Sequence, residues 1–195
     1  MITLPEESDN TARVVGIDPG SQYLGVAYIE YDIATGAIVS SSAKTLHADK
    51  LSSKKDWVVN LHGDRVARIL ALKTALGNYL NEVNPVKVGC ESPFYNPRRP
   101  NAYGVLVEVL TTIRMAVMDW SQWLGLELID PPTVKKAVGA SGGAKKEEVL
   151  AKVIALTGEL HLAQSSDTLD EHSVDALAVA YHCYKTIMKE REVKV

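Results

Sequence analysis

Long apolar runs are missing from this sequence. None approaches the ~20 residues that a bilayer span needs, so the first expectation is a chain with no membrane-crossing segment. Cysteine is scarce, with only Cys90 and Cys183. Both lie in apolar surroundings and suit neither a disulfide framework nor a zinc site, so they read as buried thiols in a reducing compartment. Phenylalanine occurs once, at Phe94. Basic charge is not in excess either. Lys plus Arg number 21 against 24 Asp plus Glu, a formal net charge of −3, which taken alone argues against a nucleic-acid partner. The opening stretch Met-Ile-Thr-Leu-Pro-Glu-Glu-Ser-Asp-Asn lacks the basic and apolar regions of a secretory signal. The expected location is therefore cytoplasmic.

What is present suffices for one globular domain. The 195 residues are 46% hydrophobic and 23% charged, enough to bury a core of ordinary size. Residues 1–11 are expected to be a flexible extension and 12–190 the domain. The basic residues are few but grouped: Lys54-Lys55, Arg98-Arg99, Lys135-Lys136 and Lys145-Lys146. Each pair falls in or beside an expected loop. One such pair is normally a solvated face; four together can form a phosphate-contacting surface.

Strands are expected at 12–18, 23–32 and 36–46, with Ala34-Thr35-Gly36 in the second turn, so these three form an antiparallel meander. Residues 47–60 are polar and read as loop. Val66, Ile69, Leu70, Leu76, Leu80 and Val83 recur at helical spacing over 64–83, and Asn84-Pro85 ends that helix. Val86 to Glu91 is a short strand, followed by a segment with three prolines. A long helix is expected over 102–124, with Leu106, Val109, Leu110, Ile113, Val117, Trp120 and Leu124 as its stripe. Val105, Ala116 and Trp123 widen that face, which suits either a central core helix or one that also packs on a partner subunit. Leu126 to Ile129 is a strand, 132–138 and 145–156 are helices, and 158–167 is loop. Thr168-x-x-Glu171 is a capping-box pattern that opens a final helix to about Lys189. The expected fold is α/β, a mixed five-stranded sheet flanked by helices.

The chemistry-bearing residues stand at the ends of these elements. Asp18 ends the first strand, before Pro19-Gly20, and Glu91 ends the fourth, before Ser92-Pro93. His172 and Asp175 are three apart on the final helix and share a face. A lone Asp-Pro-Gly is most often a turn, and a lone helical His is most often a surface or capping residue. The combination is more specific. Three carboxylates and an imidazole in one cleft repel unless cations neutralise them. Hard oxygen donors favour Mg²⁺ or Mn²⁺, and a pair of such ions suits phosphodiester hydrolysis.

On these residues the chain resembles the RuvC-type Holliday-junction resolvases of the RNase H-like nuclease superfamily, from about Val14 to His182. Gly16-Ile-Asp18-Pro-Gly20 matches the family's first-strand motif, Glu91 its second acid, and His172-Ser-Val-Asp175-Ala-Leu-Ala its closing motif. The resemblance implies an endodeoxyribonuclease that leaves 5′-phosphate and 3′-hydroxyl ends. It implies Asp18 as a bridge between two divalent ions, Glu91 on one of them, and Asp175 with His172 on the other. Phe94 matches a base-stacking aromatic, with Tyr95 as the alternative, beside Arg98 and Arg99. The segments holding Lys135-Lys136 and Lys145-Lys146 resemble the family's DNA-backbone contacts, with the choice between Lys145 and Lys146 open. The resemblance also implies a homodimer through helix 102–124, acting on branched DNA. A helicase partner is not indicated by any residue. Two features depart from the pattern: the N-terminal extension and the slightly acidic charge. A broader branched-DNA nuclease therefore fits as well as a strict resolvase. Actin-like kinases and ATPases also open on strand–Asp-x-Gly, but they need a second such domain and phosphate loop, which this length and sequence do not supply.

Overall fold

The computed structural model describes residues 10–52, 57–94, 97, 98 and 100–192. Three strands open the chain: β1 (Thr11–Asp18), β2 (Tyr23–Asp32) and β3 (Ile38–His47). They form the expected meander, β1 with β2 and β2 with β3 antiparallel, the second pairing broken by a register shift at Glu30/Tyr31. Two short helices follow, α1 (Ala48–Leu51) and α2 (Trp57–His62), then α3 (Asp64–Val83). β4 (Lys87–Glu91) returns parallel to β1 and is followed by α4 (Pro100–Trp120). β5 (Leu126–Ile129) then joins β4 in parallel. The sheet order is β3-β2-β1-β4-β5. The chain closes with α5 (Pro131–Ala137), α6 (Lys146–Ala155), α7 (Thr157–Leu160), a 3₁₀ turn at Ser166–Thr168, and α8 (Glu171–Glu192).

Two cores lie on the two sheet faces, and the period-2 alternation of β1 divides between them. Val15 and Ile17 pack with Ile69, Leu72, Leu76 and Leu80 of α3 and with Val109, Ile113 and Val117 of α4. Ala12 and Val14 pack with Val174, Leu177, Ala178 and Tyr181 of α8, together with Val134 of α5 and Val149 of α6. Asp18 has the parity of Val14 and so faces the α8 side.

α8 lies unusually close to the strands because glycine lines its path. A Cβ on Gly16 would come within 2.2 Å of the Ala176 carbonyl oxygen and the Ala180 nitrogen. A Cβ on Gly25, the antiparallel partner of Asp18, would come within 2.1 Å of the His172 carbonyl oxygen. Small residues on both partners thus let helix backbone meet strand backbone. The first turn of α8 is thereby set beside the tip of β1.

Several boundaries differ from expectation, each for a local reason. Residues 47–60 are not all loop: α1 and α2 lie there, α1 anchored by Ala48 N–H donating to the Gln22 carbonyl at 2.9 Å. The expected strand from 36 starts at Ile38, since Gly36 takes φ +77° in the turn. Val86 is exposed and precedes β4. On α3, Val66 and Leu70 are exposed, and Leu72 and Tyr79 complete the buried stripe instead. α4 stops at Trp120, so Leu124 lies beyond it and Trp123 is 95% exposed rather than part of a widened face. Within 158–167, α7 and the 3₁₀ turn interrupt the expected loop, and residues 161–164 bond the edge of β3 through Ser41 N–H to the His161 carbonyl and Ala163 N–H to the Ser41 carbonyl. The cap of α8 is Asp170, not Thr168. Ser173 N–H donates to Asp170 Oδ1 at 2.9 Å and Asp170 N–H donates to Ser173 Oγ at 2.8 Å, a reciprocal capping pair two residues later than predicted. α4 also overturns one reading of composition: Asn101–Trp120 is apolar enough, by length and composition, to cross a membrane. One face of it is core, however, with Val109, Leu110, Ile113, Ala116 and Val117 buried.

Candidate active site

Asp18 and Glu91 reach the same edge of the sheet because β1 and β4 are adjacent and parallel. Ile17 pairs with Cys90, so the next residue on each strand is a carboxylate. Adjacent strands run ~4.8 Å apart. Each acid is then freed by a break in regular structure, Pro19-Gly20 after one and Ser92-Pro93 after the other. Glu91 is held from behind, as Ser92 N–H donates to the Ile129 carbonyl at 2.8 Å. α8 brings the remaining two. Its cap is tied to β3 by Thr45 Oγ1, which donates to Asp170 Oδ1 at 2.5 Å. One turn on, His172 and Asp175 look across at β1 and β4.

All four predicted ligands line one cleft of about 240 Å³. Its other walls are Pro19, Pro131 and Val134 of α5, Val149 of α6, and Lys135, Lys146 and Glu171. His172 Nδ1–H donates to Asp18 Oδ2 at 2.7 Å, and this bond is the main reason that the imidazole pKa is raised. Burial, then repulsion from Asp18 and Asp175, pushes Glu91 up to about 7. Burial, then Asp18, pushes Asp175 up to about 6. Lys135 and Lys146 oppose both shifts without cancelling them.

This donor set suits a hard divalent cation. Carboxylates whose pKa values rise through desolvation and mutual repulsion are those that a cation in the cleft would return to their ionised form. The four do not form a finished cage: among the described residues no three His, Cys, Asp or Glu side chains are drawn together as a closed metal group. Asp18 is instead engaged with His172.

The candidate DNA-contact residues divide. Lys135 and Lys146 line the cleft; Lys136 and Lys145 do not. Lys136 stands in the last turn of α5, and Lys145 caps α6 through its backbone position. Lys135 Nζ donates to the Ala144 carbonyl at 2.7 Å. Lys146 forms an ion pair with Glu171, which sequence reasoning did not single out. Phe94 is 73% exposed on the segment after β4, so it is no core phenylalanine. Arg98 is described and exposed. Tyr95, Arg99 and the Lys54-Lys55 pair lie outside the described residues. Cys90 and Cys183 are buried free thiols, as expected. A second unforeseen residue is Tyr23, whose ring stacks on His172 at 5.4 Å between centroids and meets His47 edge-on at 5.2 Å. The contact with His47 follows from the register of β2 against β3, which pairs the two residues, and the contact with His172 from the approach of α8.

Acids gathered at the carboxyl ends of neighbouring parallel strands, under a closing helix that adds the remaining donors, define the RNase H-like class of nucleases. Comparison with known proteins narrows this class. The family model "Crossover junction endodeoxyribonuclease RuvC" matches residues 14–183, and the chain belongs to that family, an endodeoxyribonuclease family. The protein of that name from Myxococcus xanthus is 32% identical over 170 residues, covering 86% of this chain and 78% of its own. The one from Chlorobium phaeobacteroides is 28% identical, covering 85% and 82%. Among solved structures, Thermus thermophilus RuvC superposes with a TM-score of 0.63 at 22% identity over 91% of this chain and 96% of its own. The same bacterium's RuvC in complex with a Holliday junction substrate gives 0.63 at 20% identity, covering the same shares. The yeast mitochondrial Holliday junction resolvase Ydc2 gives 0.60 at 12% identity, over 92% and 81%. At these identities the solved structures speak to fold.

Proposed function

We propose that the protein nicks four-way DNA junctions by divalent-metal-dependent phosphodiester hydrolysis, acting as a cytoplasmic homodimer with one cleft per subunit. The observation that carries this reading is the meeting of Asp18, Glu91, His172 and Asp175 in one cleft beside Lys135 and Lys146. Asp18, Glu91, Asp175 and His172 would hold two Mg²⁺ or Mn²⁺ ions, which when bound activate water and stabilise the leaving oxygen. The remaining work falls to the chain. Lys135 and Lys146 attract the phosphodiester backbone into the acidic cleft. The backbone bond from Ser92 to Ile129 keeps Glu91 at the strand tip, and the Asp170 cap keeps His172 and Asp175 in register with it. Phe94, exposed on the segment next to Glu91, would stack on a base exposed where the junction opens, a contact worth ~1–3 kcal/mol per base.

A two-fold dimer presents two clefts to a two-fold substrate, which allows paired nicks. Support for a dimer comes from α4. Val107, Met115 and Met118, spaced eight and three apart, share one face and are exposed, Met118 by 63%.

The test incubates the protein with a four-way junction, a fork and a linear duplex, in Mg²⁺, in Mn²⁺ and in chelator. The junction is expected to be cut with either metal and spared in chelator, and Asp18→Asn is expected to cut at background. Cutting by that variant, or in chelator, overturns the mechanism. Equal cutting of fork and junction makes it a broader branched-DNA nuclease, and equal cutting of linear duplex overturns the junction assignment.

A further inference from the structure

Tyr23 opens β2 five residues after Asp18, and its surroundings hold it firmly. The turn before it is tight, since a Cβ on Gly20 would lie 2.1 Å from the Tyr23 carbonyl oxygen. The residue before it, Gln22, accepts from Ala48 N–H at 2.9 Å. Behind the ring stands His47, edge-on at 81° between planes. In front lies the imidazole of His172, 5.4 Å away and tilted by only 26°. Tyr23 is 41% exposed, so it is no core residue. Nor is it one of the residues that line the cleft. Its reach into the cleft therefore runs through His172.

We propose that Tyr23 is a positioning residue, its ring fixing the plane of the His172 imidazole so that Nδ1 stays on Asp18. The inference rests on the assignment of His172 to the hydrolytic site. The terminal torsion of histidine is soft, and a single hydrogen bond at one ring nitrogen leaves the other side free to swing. An offset-stacked ring adds a preference for one plane of the imidazole. Supporting residues of this kind typically cost 10–100-fold in activity or metal affinity when lost.

The alternative for an exposed tyrosine beside a nuclease cleft is a direct contact with DNA, and a double-mutant cycle separates the two. In the wild type, Tyr23→Leu is expected to lower kcat for junction nicking by ~10-fold, with KM within ~2-fold. Tyr23→Phe keeps the ring and restores the rate. In a His172→Asp background, where no imidazole remains to be positioned, Tyr23→Leu is expected to change nothing further. A second readout needs neither metal nor substrate. In the chelated protein the carbon-bound imidazole protons of His172 are expected to show a ring-current shift, kept in Tyr23→Phe and lost in Tyr23→Leu. Equal losses in both backgrounds, or a rise in KM alone, assign Tyr23 to DNA and overturn the proposal. Unshifted imidazole protons overturn it as well. Should His172→Asp be inactive, the imidazole shift and the phenylalanine rescue decide. Should the wild type cut no junction, the nuclease reading falls while the imidazole shift still decides the clamp.

Discussion

At Glu91 the proposed role and the stability of the fold most plainly oppose each other. Its carboxyl sits at about 7 because burial and the neighbouring Asp18 and Asp175 disfavour its charge. Its folded-state pKa exceeds the unfolded one, so between roughly pH 4.5 and 7 the folded chain holds more protons than the unfolded. Without metal, its contribution to stability therefore falls as pH rises through that window and is lowest above it. Glu91→Gln is thus expected to raise the stability of the chelated protein at pH 8 by ~1–3 kcal/mol, while abolishing cleavage. At pH 5 the gain should shrink towards zero. Thermal midpoints in chelator at the two pH values measure this, and a variant less stable at pH 8 would contradict it. The four residues that meet in the cleft were legible in the sequence because each follows a plain rule: a carboxylate before a proline break, or two donors three apart on a helix. Tyr23 was not legible, because its stacking on His172 depends on where β2 and α8 come to rest.

Among the elements, α8 settles the geometry of the cleft, and it does so through what the facing strands lack. Gly25→Ala would put a methyl group 2.1 Å from the His172 carbonyl oxygen and 3.1 Å from Asp18 Cβ. The first turn of the helix must then lift from β2. The expected cost is ~1–3 kcal/mol of stability, with cleavage reduced more than the stability loss alone explains, because His172 and Asp18 move apart. Urea unfolding and nicking rates on one preparation test this. Cleavage at the wild-type rate would show that the close approach is not needed. The elements most legible in the sequence were those with strong period: the meander, α3, α4 and α8. The misplaced cap at Thr168 shows the weakness of local patterns. Both Thr168-x-x-Glu171 and Asp170-x-x-Ser173 are capping signals, and what distinguishes them is the tie from Asp170 to Thr45 on β3, 125 residues away. α1 and α2 escaped notice for a similar reason. They are short, and no residue of α2 is buried, so the sequence leaves little periodic trace of them.

For the molecule as a whole, net charge was a poor guide and charge placement a better one. A chain of formal charge −3 still brings Lys135 and Lys146 to the walls of its one predicted acidic site. The apolar face of α4 carries the prediction at this scale. Met115→Glu with Met118→Glu is expected to yield a monomer in light scattering and to turn paired cuts of a junction into single nicks. A dimer that survives both changes would move the interface elsewhere. The mounting of Glu91 has a consequence of a different kind. Its position is set by its strand pairing and by the bond from Ser92 to Ile129, before the segment bearing Phe94 begins. The residues between Ser92 and α4 can therefore be exchanged while the acid stays in place. Under the proposed function, the choice of DNA shape is thereby separable from the reaction: exchanging Phe94 is expected to change which branched substrates are cut while Glu91 keeps its position.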